Sequence, residues 1–152
     1  MNELRDLYEE VILDHSRRPR NFGALPDASH RAQGHNPLCG DKVTVFLALR
    51  DGRVADVRFE GSGCAISTAS ASLMTEAIKG KTEAELRRMF DLFHTGMTAP
   101  DETEAAEALA ALGKLAAFTG VREFPIRIKC ATLPWHTLVA ALDRADAPVK
   151  TE

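Results

Sequence analysis

The sequence predicts an α+β domain, in which a small antiparallel β-sheet of about three strands packs against several α-helices. Two apolar segments, 43–49 and 53–60, flank the pair Asp51-Gly52, which is typical of a tight two-residue hairpin turn. A segment near 32–36 or 124–128 is expected to add the third strand. Most of the remaining chain places apolar residues three or four positions apart, the spacing of helices that bury one face.

Five helices are predicted from this spacing. The first covers residues 2–15 and ends near the Arg18-Pro19 step, because a residue before proline disfavours the helical conformation. The other predicted boundaries are given by capping residues and prolines. The second helix follows Gly61-Ser62-Gly63 and is capped by Gly80, the third opens with a capping box from Thr82 to Glu85, the fourth runs from Asp101 to before Gly120, and the fifth begins at Cys130 with Pro134 in its first turn.

Length and composition set limits on the class of protein. The chain has 152 residues, 45% of them apolar and 27% charged, with a net charge of -3, which fits one core rather than two and predicts no nucleic-acid partner. The N-terminus lacks the apolar segment of a signal peptide, and no apolar stretch reaches the roughly 20 residues that span a bilayer. We therefore expect a cytoplasmic protein with no membrane partner, one domain over residues 1–146 and a frayed tail over 147–152.

Three cysteines, Cys39, Cys64 and Cys130, are too few for a disulfide framework and one too many for a single bridge. A cytosolic setting would keep them reduced. Packing, metal binding and catalysis all remain open on this ground, since a free cysteine is often a small buried hydrophobe.

The local positions of these cysteines favour chemistry over packing. Cys39 lies on a Pro/Gly turn before a strand, and Cys64 and Cys130 are each predicted at a helix N-terminus, where the exposed N–H groups lower a thiol pKa. Asp41 is two residues from Cys39 and points to the same side of the strand. Three thiolates and a carboxylate match a tetrahedral zinc site or the edge of an iron-sulfur cluster. Without a C-x-x-C motif, spacing alone does not establish metal binding.

Four separated segments resemble the IscU/SufU proteins of iron-sulfur cluster assembly, a NifU N-terminal-like family. They are LYEEVILDHSRRPRNFG (7–23), HNPLCGD (35–41), GSGCAISTASAS (61–72) and RIKCATLPW (127–135). The resemblance implies an α+β domain with a metal site at one end, where three loops converge. Cys39, Asp41, Cys64 and Cys130 fall on the family's ligand positions.

Two departures from the IscU-type pattern make the chain more similar to the SufU branch. Lys129 replaces the histidine before the third cysteine, and the segment 124–128 lacks the Leu-Pro-Pro-Val-Lys chaperone motif. An extra helical segment, roughly 95–115, is also SufU-like. This resemblance implies a sulfurtransferase that binds one zinc ion, accepts persulfide sulfur from a SufS-type cysteine desulfurase and stimulates it, and works with downstream Suf cluster-assembly proteins.

Two alternatives remain open from the sequence: an IscU-type scaffold that carries an iron-sulfur cluster, and a structural zinc domain without sulfur chemistry. For sulfur transfer one thiolate must leave the metal and attack, and Cys39, on the Pro37–Gly40 loop, is the predicted catalytic residue. Arg127 and Lys129 are predicted to support the thiolate of Cys130 with positive charge, or else to be solvated on an edge strand. His35 is either a substitute ligand, a proton carrier or a polar loop residue.

Overall fold

Three antiparallel strands form the sheet of the computed structural model, which describes residues 3–144 and 149–151. They are β1 (His30–Asn36), β2 (Asp41–Arg50) and β3 (Arg53–Ser62). Asp51 and Gly52 both have positive φ, 54° and 76°, as a type I′ turn requires. The predicted hairpin and α+β class are confirmed, and the third strand comes from the earlier of the two expected segments.

The described residues also form six helices. They are α1 (Glu3–Arg17), α2 (Ala65–Ile78), α3 (Glu83–Thr98), α4 (Glu102–Ala110), a 3-10 helix (Gly113–Glu123) and α5 (Pro125–Leu142). Of these, α2 and α5 pack on the sheet. The predicted capping box is present, since Thr82 Oγ1 accepts from the backbone N–H of Glu85 while Glu85 Oε1 accepts from that of Thr82. The Asp101 carboxylate caps α4 by accepting from the backbone N–H groups of Thr103 and Glu104. Local residues therefore set the starts of α3 and α4, and Gly80, with a φ of 80°, follows the end of α2 as predicted.

The prediction of one helix from Asp101 to before Gly120 is wrong in its second half. The helix α4 ends at Ala110, and the chain continues as the 3-10 helix from Gly113. Gly113 has a φ of 63°, a left-handed conformation that interrupts a right-handed helix and that glycine adopts without a steric cost.

The predicted start of the last helix is also wrong. The helix α5 begins at Pro125, whose missing N–H is harmless in the first turn, so the segment 124–128 is mostly helical and adds no strand. Pro134 lies in the helix interior instead of its first turn. It cannot donate to the carbonyl of Cys130, four residues earlier.

The core lies between one face of the sheet and the helices α2, α3 and α5. Trp135 stacks on Phe93 at 5.0 Å between ring centroids, and Phe118 meets Phe93 edge-on at 5.8 Å. The helix α5 approaches β1 so closely that a Cβ on Gly34 would overlap the side chain of Thr137. This contact fixes the fourth turn of α5 beside β1.

The end of the chain adds a short strand. Strand β4 (Val149–Lys150) pairs in parallel with Gly34 and His35 of β1. The backbone N–H of Thr151 donates to the carbonyl of His35 at 3.1 Å. The predicted frayed tail, 147–152, includes residues 147, 148 and 152, which lie outside the described part of the chain. The tail and the domain limits therefore stay predictions.

Candidate metal centre

Cys39, Asp41 and Cys130 meet at the end of the sheet where β1 turns into β2. One donor atom from each lies within 4.8 Å of the others, and the two sulfurs are 3.2 Å apart. Asp41 is the first residue of β2 and is completely buried. Cys39 lies on the preceding turn and is partly exposed, whereas Cys130 lies in α5 and is fully buried. The structure thus brings together residues 91 positions apart in the chain.

Cys64 joins this group through Asp41. It is the N-cap of α2, and its backbone N–H donates to Asp41 Oδ1 at 2.8 Å. Its Sγ lies 3.8 Å from Asp41 Oδ2 and accepts from the backbone N–H of Ser67 at 3.5 Å. Cys64 therefore borders the group of three mutually close donors and at present serves as a helix cap. A Cβ on Gly63 would lie 2.5 Å from Asp41 Oδ1, so glycine is required for this close approach.

The predicted environment of Cys130 is wrong. Cys130 lies within α5 and not at its N-terminus, and burial raises the pKa of its thiol, with hydrogen bonds to Asp41 and Cys39 adding to the effect. The junction argument thus holds for Cys39 and Cys64 alone. The third thiol would lose its proton when a cation is placed beside it.

The donor set fits a zinc ion. Zinc bonds to sulfur at about 2.3 Å, so sulfurs sharing a tetrahedral ion lie about 3.8 Å apart, and the sulfurs of Cys39 and Cys130, at 3.2 Å, need to separate only slightly to reach that spacing. Asp41 forms no salt bridge with any described residue. A buried carboxylate without a cationic partner is costly, and a metal ion at this position would supply the missing positive charge.

The two predicted supporting residues differ in their placement. Both lie on α5, so the alternative of an edge strand is wrong. Arg127 is exposed. The negative charge of Cys64, and then a hydrogen bond to Cys130, raise the pKa of its guanidinium, as expected for a cation close to the thiols. Lys129 is half-buried, and within 3–144 and 149–151 no hydrogen bond or ion pair joins its side chain to the centre. The nearby cation is therefore Arg127.

His35 lies in β1 rather than in a loop. It is absent from the group of mutually close donors found in the described chain. The sequence did not single out its neighbour Asn36, which is completely buried, with Nδ2 3.8 Å from Cys130 Sγ. The available signal was the Asn-Pro pair at a strand end, which is typical of turn initiation.

A groove of about 760 Å³ opens beside the centre, between α1 and the 3-10 helix. It is lined mainly by apolar side chains, and Leu4 and Phe124 at its edge are more than half exposed. Ala65, which follows Cys64, and Arg127 also line it. The groove therefore connects directly to the surroundings of the thiols.

Among the described residues, no helix combines the length and the apolar character that a membrane span requires.

Comparison with known proteins gives a consistent family. The model of the NifU-like N terminal domain matches residues 7–131, most of the chain. In a crystal structure, a nitrogen-fixing NifU-like protein (N-terminal) from Brucella abortus is similar, with a TM-score of 0.76 at 28% identity, covering 94% of this chain and 96% of that one.

Two relatives carry different names. The zinc-dependent sulfurtransferase SufU of Bacillus subtilis is 44% identical over 135 residues, which is 89% of this chain and 88% of that protein. The iron-sulfur cluster assembly scaffold protein IscU of Streptococcus pyogenes serotype M1 is 39% identical over 145 residues, which is 95% of this chain and 88% of that protein. These similar identities resolve the family and not the branch. The chain belongs to the NifU-like N-terminal domain family, the IscU/SufU group of iron-sulfur cluster assembly proteins.

Proposed function

We propose that this chain is a zinc-dependent sulfurtransferase of iron-sulfur cluster biogenesis. In this proposal it accepts persulfide sulfur from a SufS-type cysteine desulfurase, stimulates that enzyme and passes the sulfur to downstream Suf cluster-assembly proteins in the cytoplasm. The observation that carries the proposal is a partly exposed thiol, Cys39, beside a buried carboxylate and a buried thiol that fit a cation. A relative at 44% identity that is named a zinc-dependent sulfurtransferase agrees with the proposal.

Cys39, Asp41, Cys64 and Cys130 would hold the zinc ion. Bound there, zinc supplies positive charge that keeps neighbouring thiols deprotonated at neutral pH. Cys130 needs this most, because its burial raises the pKa of the free thiol. Asp41 keeps its place through the N–H of Cys64 and contributes one negative charge to the centre.

Cys39 is the sulfur acceptor in this proposal, because it is the exposed member of the close thiol pair. Its thiolate attacks the outer sulfur of the donor's persulfide and forms a new S–S bond. The donor's own S–S bond breaks, and its electron pair leaves with the donor cysteine as a thiolate. The exchange consumes no external oxidant or reductant.

Arg127 and the adjoining groove explain how a donor could approach. The persulfide is anionic, and the exposed guanidinium of Arg127 faces the thiols, so it attracts the incoming group. The exposed apolar side chains at the groove, including Leu4 and Phe124, are suited to contact a protein surface. A donor seated there would present its persulfide near Cys64 and Arg127.

The experiment is to incubate the zinc-loaded protein with a cysteine desulfurase and cysteine, then locate added sulfur by peptide mass spectrometry. We expect the sulfur on Cys39, and we expect Cys39→Ala to take up none. The matched control is Gln33→Ala, which alters an exposed residue of β1 and should take up sulfur normally. Added sulfur on folded Cys39→Ala would show that Cys39 is not the acceptor.

A second candidate function is a scaffold that binds an iron-sulfur cluster as cargo. The donor set favours it, since thiolates are the usual cluster ligands, and so does the 39% identity to a relative named IscU. Anaerobic addition of iron and sulfide separates the two. A stable cluster absorbance, without stimulation of the desulfurase by the zinc form, would favour the scaffold.

A further inference from the structure

One buried amide links the turn that carries Cys39 to the helix that carries Cys130. Asn36 is the last residue of β1, and its side chain has no exposed area. Its Oδ1 accepts from the backbone N–H of Leu38 at 3.1 Å, which shapes the turn leading to Cys39. Its Nδ2 donates to Cys130 Sγ at 3.8 Å. A single side chain therefore contacts both arms of the centre.

The surroundings leave this amide little freedom. The close approach of Gly34 to Thr137 fixes β1 against α5. Thr151 also donates its N–H to the carbonyl of His35 and its hydroxyl to that of Lys129 at 3.3 Å, and these residues directly precede Asn36 and Cys130. The end of β1 is thus held against α5 by Gly34, and Thr151 ties it to the second turn of that helix.

The hydrogen bonds make the two close thiols unequal. Cys130 is buried and receives the Asn36 N–H, whereas Cys39 is partly exposed and receives no side-chain N–H from any described residue. A hydrogen bond donated to a thiolate is charge-assisted and therefore strong. It draws electron density from the sulfur and makes that sulfur a weaker nucleophile than its neighbour.

We propose that Asn36 is a positioning residue that directs incoming sulfur to Cys39 by holding the turn with its Oδ1 and by engaging Cys130 with its Nδ2. The inference rests on the proposed sulfur-acceptor function. In it, a residue that is not a metal ligand determines which of two thiols receives the sulfur, although their sulfur atoms are only 3.2 Å apart.

The first test locates the sulfur in Asn36→Ala after reaction with a desulfurase, with Gln33→Ala on the same strand as the matched control. The native protein and the control should carry it on Cys39. In Asn36→Ala the fraction on Cys130 should rise about tenfold, the effect of losing one hydrogen bond to a charged group. Sulfur exclusively on Cys39 in folded Asn36→Ala would overturn the inference.

The second test uses cobalt as a spectroscopic substitute for zinc and does not depend on activity. Removing the N–H donor should shift the thiolate-to-cobalt charge-transfer band in Asn36→Ala and leave it unshifted in Gln33→Ala. Asn36→Ser keeps a neutral side-chain oxygen that can accept from the backbone N–H of Leu38 and loses the amide donor, so it should show the same shift and decides the matter if Asn36→Ala does not fold.

The two tests separate failure of this inference from failure of the proposed function. An unshifted band in the folded variants contradicts the role of Asn36 even where the native protein accepts sulfur. If the native protein accepts no sulfur, the proposed function fails, whereas a band shift would still support donation from Asn36 to Cys130.

Discussion

The two turns that bracket β2 show how differently one strand can be ended. The turn at Asp51-Gly52 is exposed, and its positive φ values follow from the residues that form it. At the other end, Asn36 and Asp41 are buried opposite each other, and their partners lie on α2 and α5. Local chemistry is sufficient for the first turn. The second buries polar groups, and the Asn36 Nδ2 and the Asp41 carboxylate have partners that are distant in the chain.

The largest expected effect comes from removing the carboxylate of the second turn. Asp41→Ala should lower zinc affinity by more than about 100-fold, because even residues that merely orient metal ligands contribute 10–100-fold. The increase in thermal stability on adding zinc should disappear with it. Metal analysis and thermal unfolding with and without zinc measure both effects.

The matched control lies at the opposite end of β2. Asp51→Asn keeps a residue type that tolerates positive φ and should bind zinc normally. If Asp41→Ala retains one zinc per chain with native affinity, the contrast between the two turns fails.

A smaller effect on metal is expected from the glycine before Cys64. Gly63→Ala would place a methyl group 2.5 Å from Asp41 Oδ1, so the carboxylate must move. We expect zinc affinity to fall by about 10–100-fold, as for other changes in ligand orientation. Competition with a chelator of known affinity measures this. Native affinity in Gly63→Ala would show that the Asp41 position is unimportant for the metal.

The glycine of the exposed turn should affect stability alone. Gly52 has a φ of 76° and open space around the position of a Cβ, so Gly52→Ala suffers backbone strain without a clash. The free energy of unfolding should fall by about 1–2 kcal/mol, as measured by urea denaturation, while zinc affinity is unchanged. A loss of zinc in this variant would mean that the two ends of β2 are coupled.

The smallest expected effect is a loss of stability in acid. It is measured on metal-free protein, so that protonation of the metal ligands does not contribute. Burial, and then His94, lower the pKa of His136, which lies between Phe90 and His94. The unfolded chain binds this proton more tightly than the folded chain. The free energy of unfolding should therefore be at its full value above about pH 6.5 and fall as the pH drops below it.

Replacing His136 tests the source of that acid response. His136→Gln should show a shallower decrease of the melting temperature between neutral and mildly acidic pH than the native chain. The remaining slope includes His15, whose pKa is also lowered by burial. Identical slopes in the variant and the native protein would exclude His136 as a contributor.

The sequence was sufficient wherever neighbouring residues decide the structure. The hairpin and the capping box at Thr82 are such cases. It failed at the start of α5, because Phe124, Ile126 and Ile128 alternate as in a strand. Phe124 and Ile126 are exposed, while Ile128 packs on the core, so tertiary packing overrode the local pattern.

In the candidate centre, too, some contacts could be predicted from neighbouring residues and others could not. The pairing of Cys39 with Asp41 could be predicted from their spacing, but Asn36 and Cys130 meet across 94 residues and Asp41 and Cys64 across 23. The first contact follows from the packing of α5 on β1, which no local pattern encodes, and the second from the pairing of β2 with β3. The local positions of the residues and the resemblance to a family both indicated the four residues, and the structure shows how Cys39, Asp41 and Cys130 come together.

The central claim is that this centre is a zinc site that receives sulfur. The most direct measurement is the rate of a SufS-type cysteine desulfurase with and without the purified protein, whose metal content is determined in the same preparation. The account predicts one zinc per chain and a faster desulfurase. A zinc-loaded protein that leaves the desulfurase rate unchanged would contradict it.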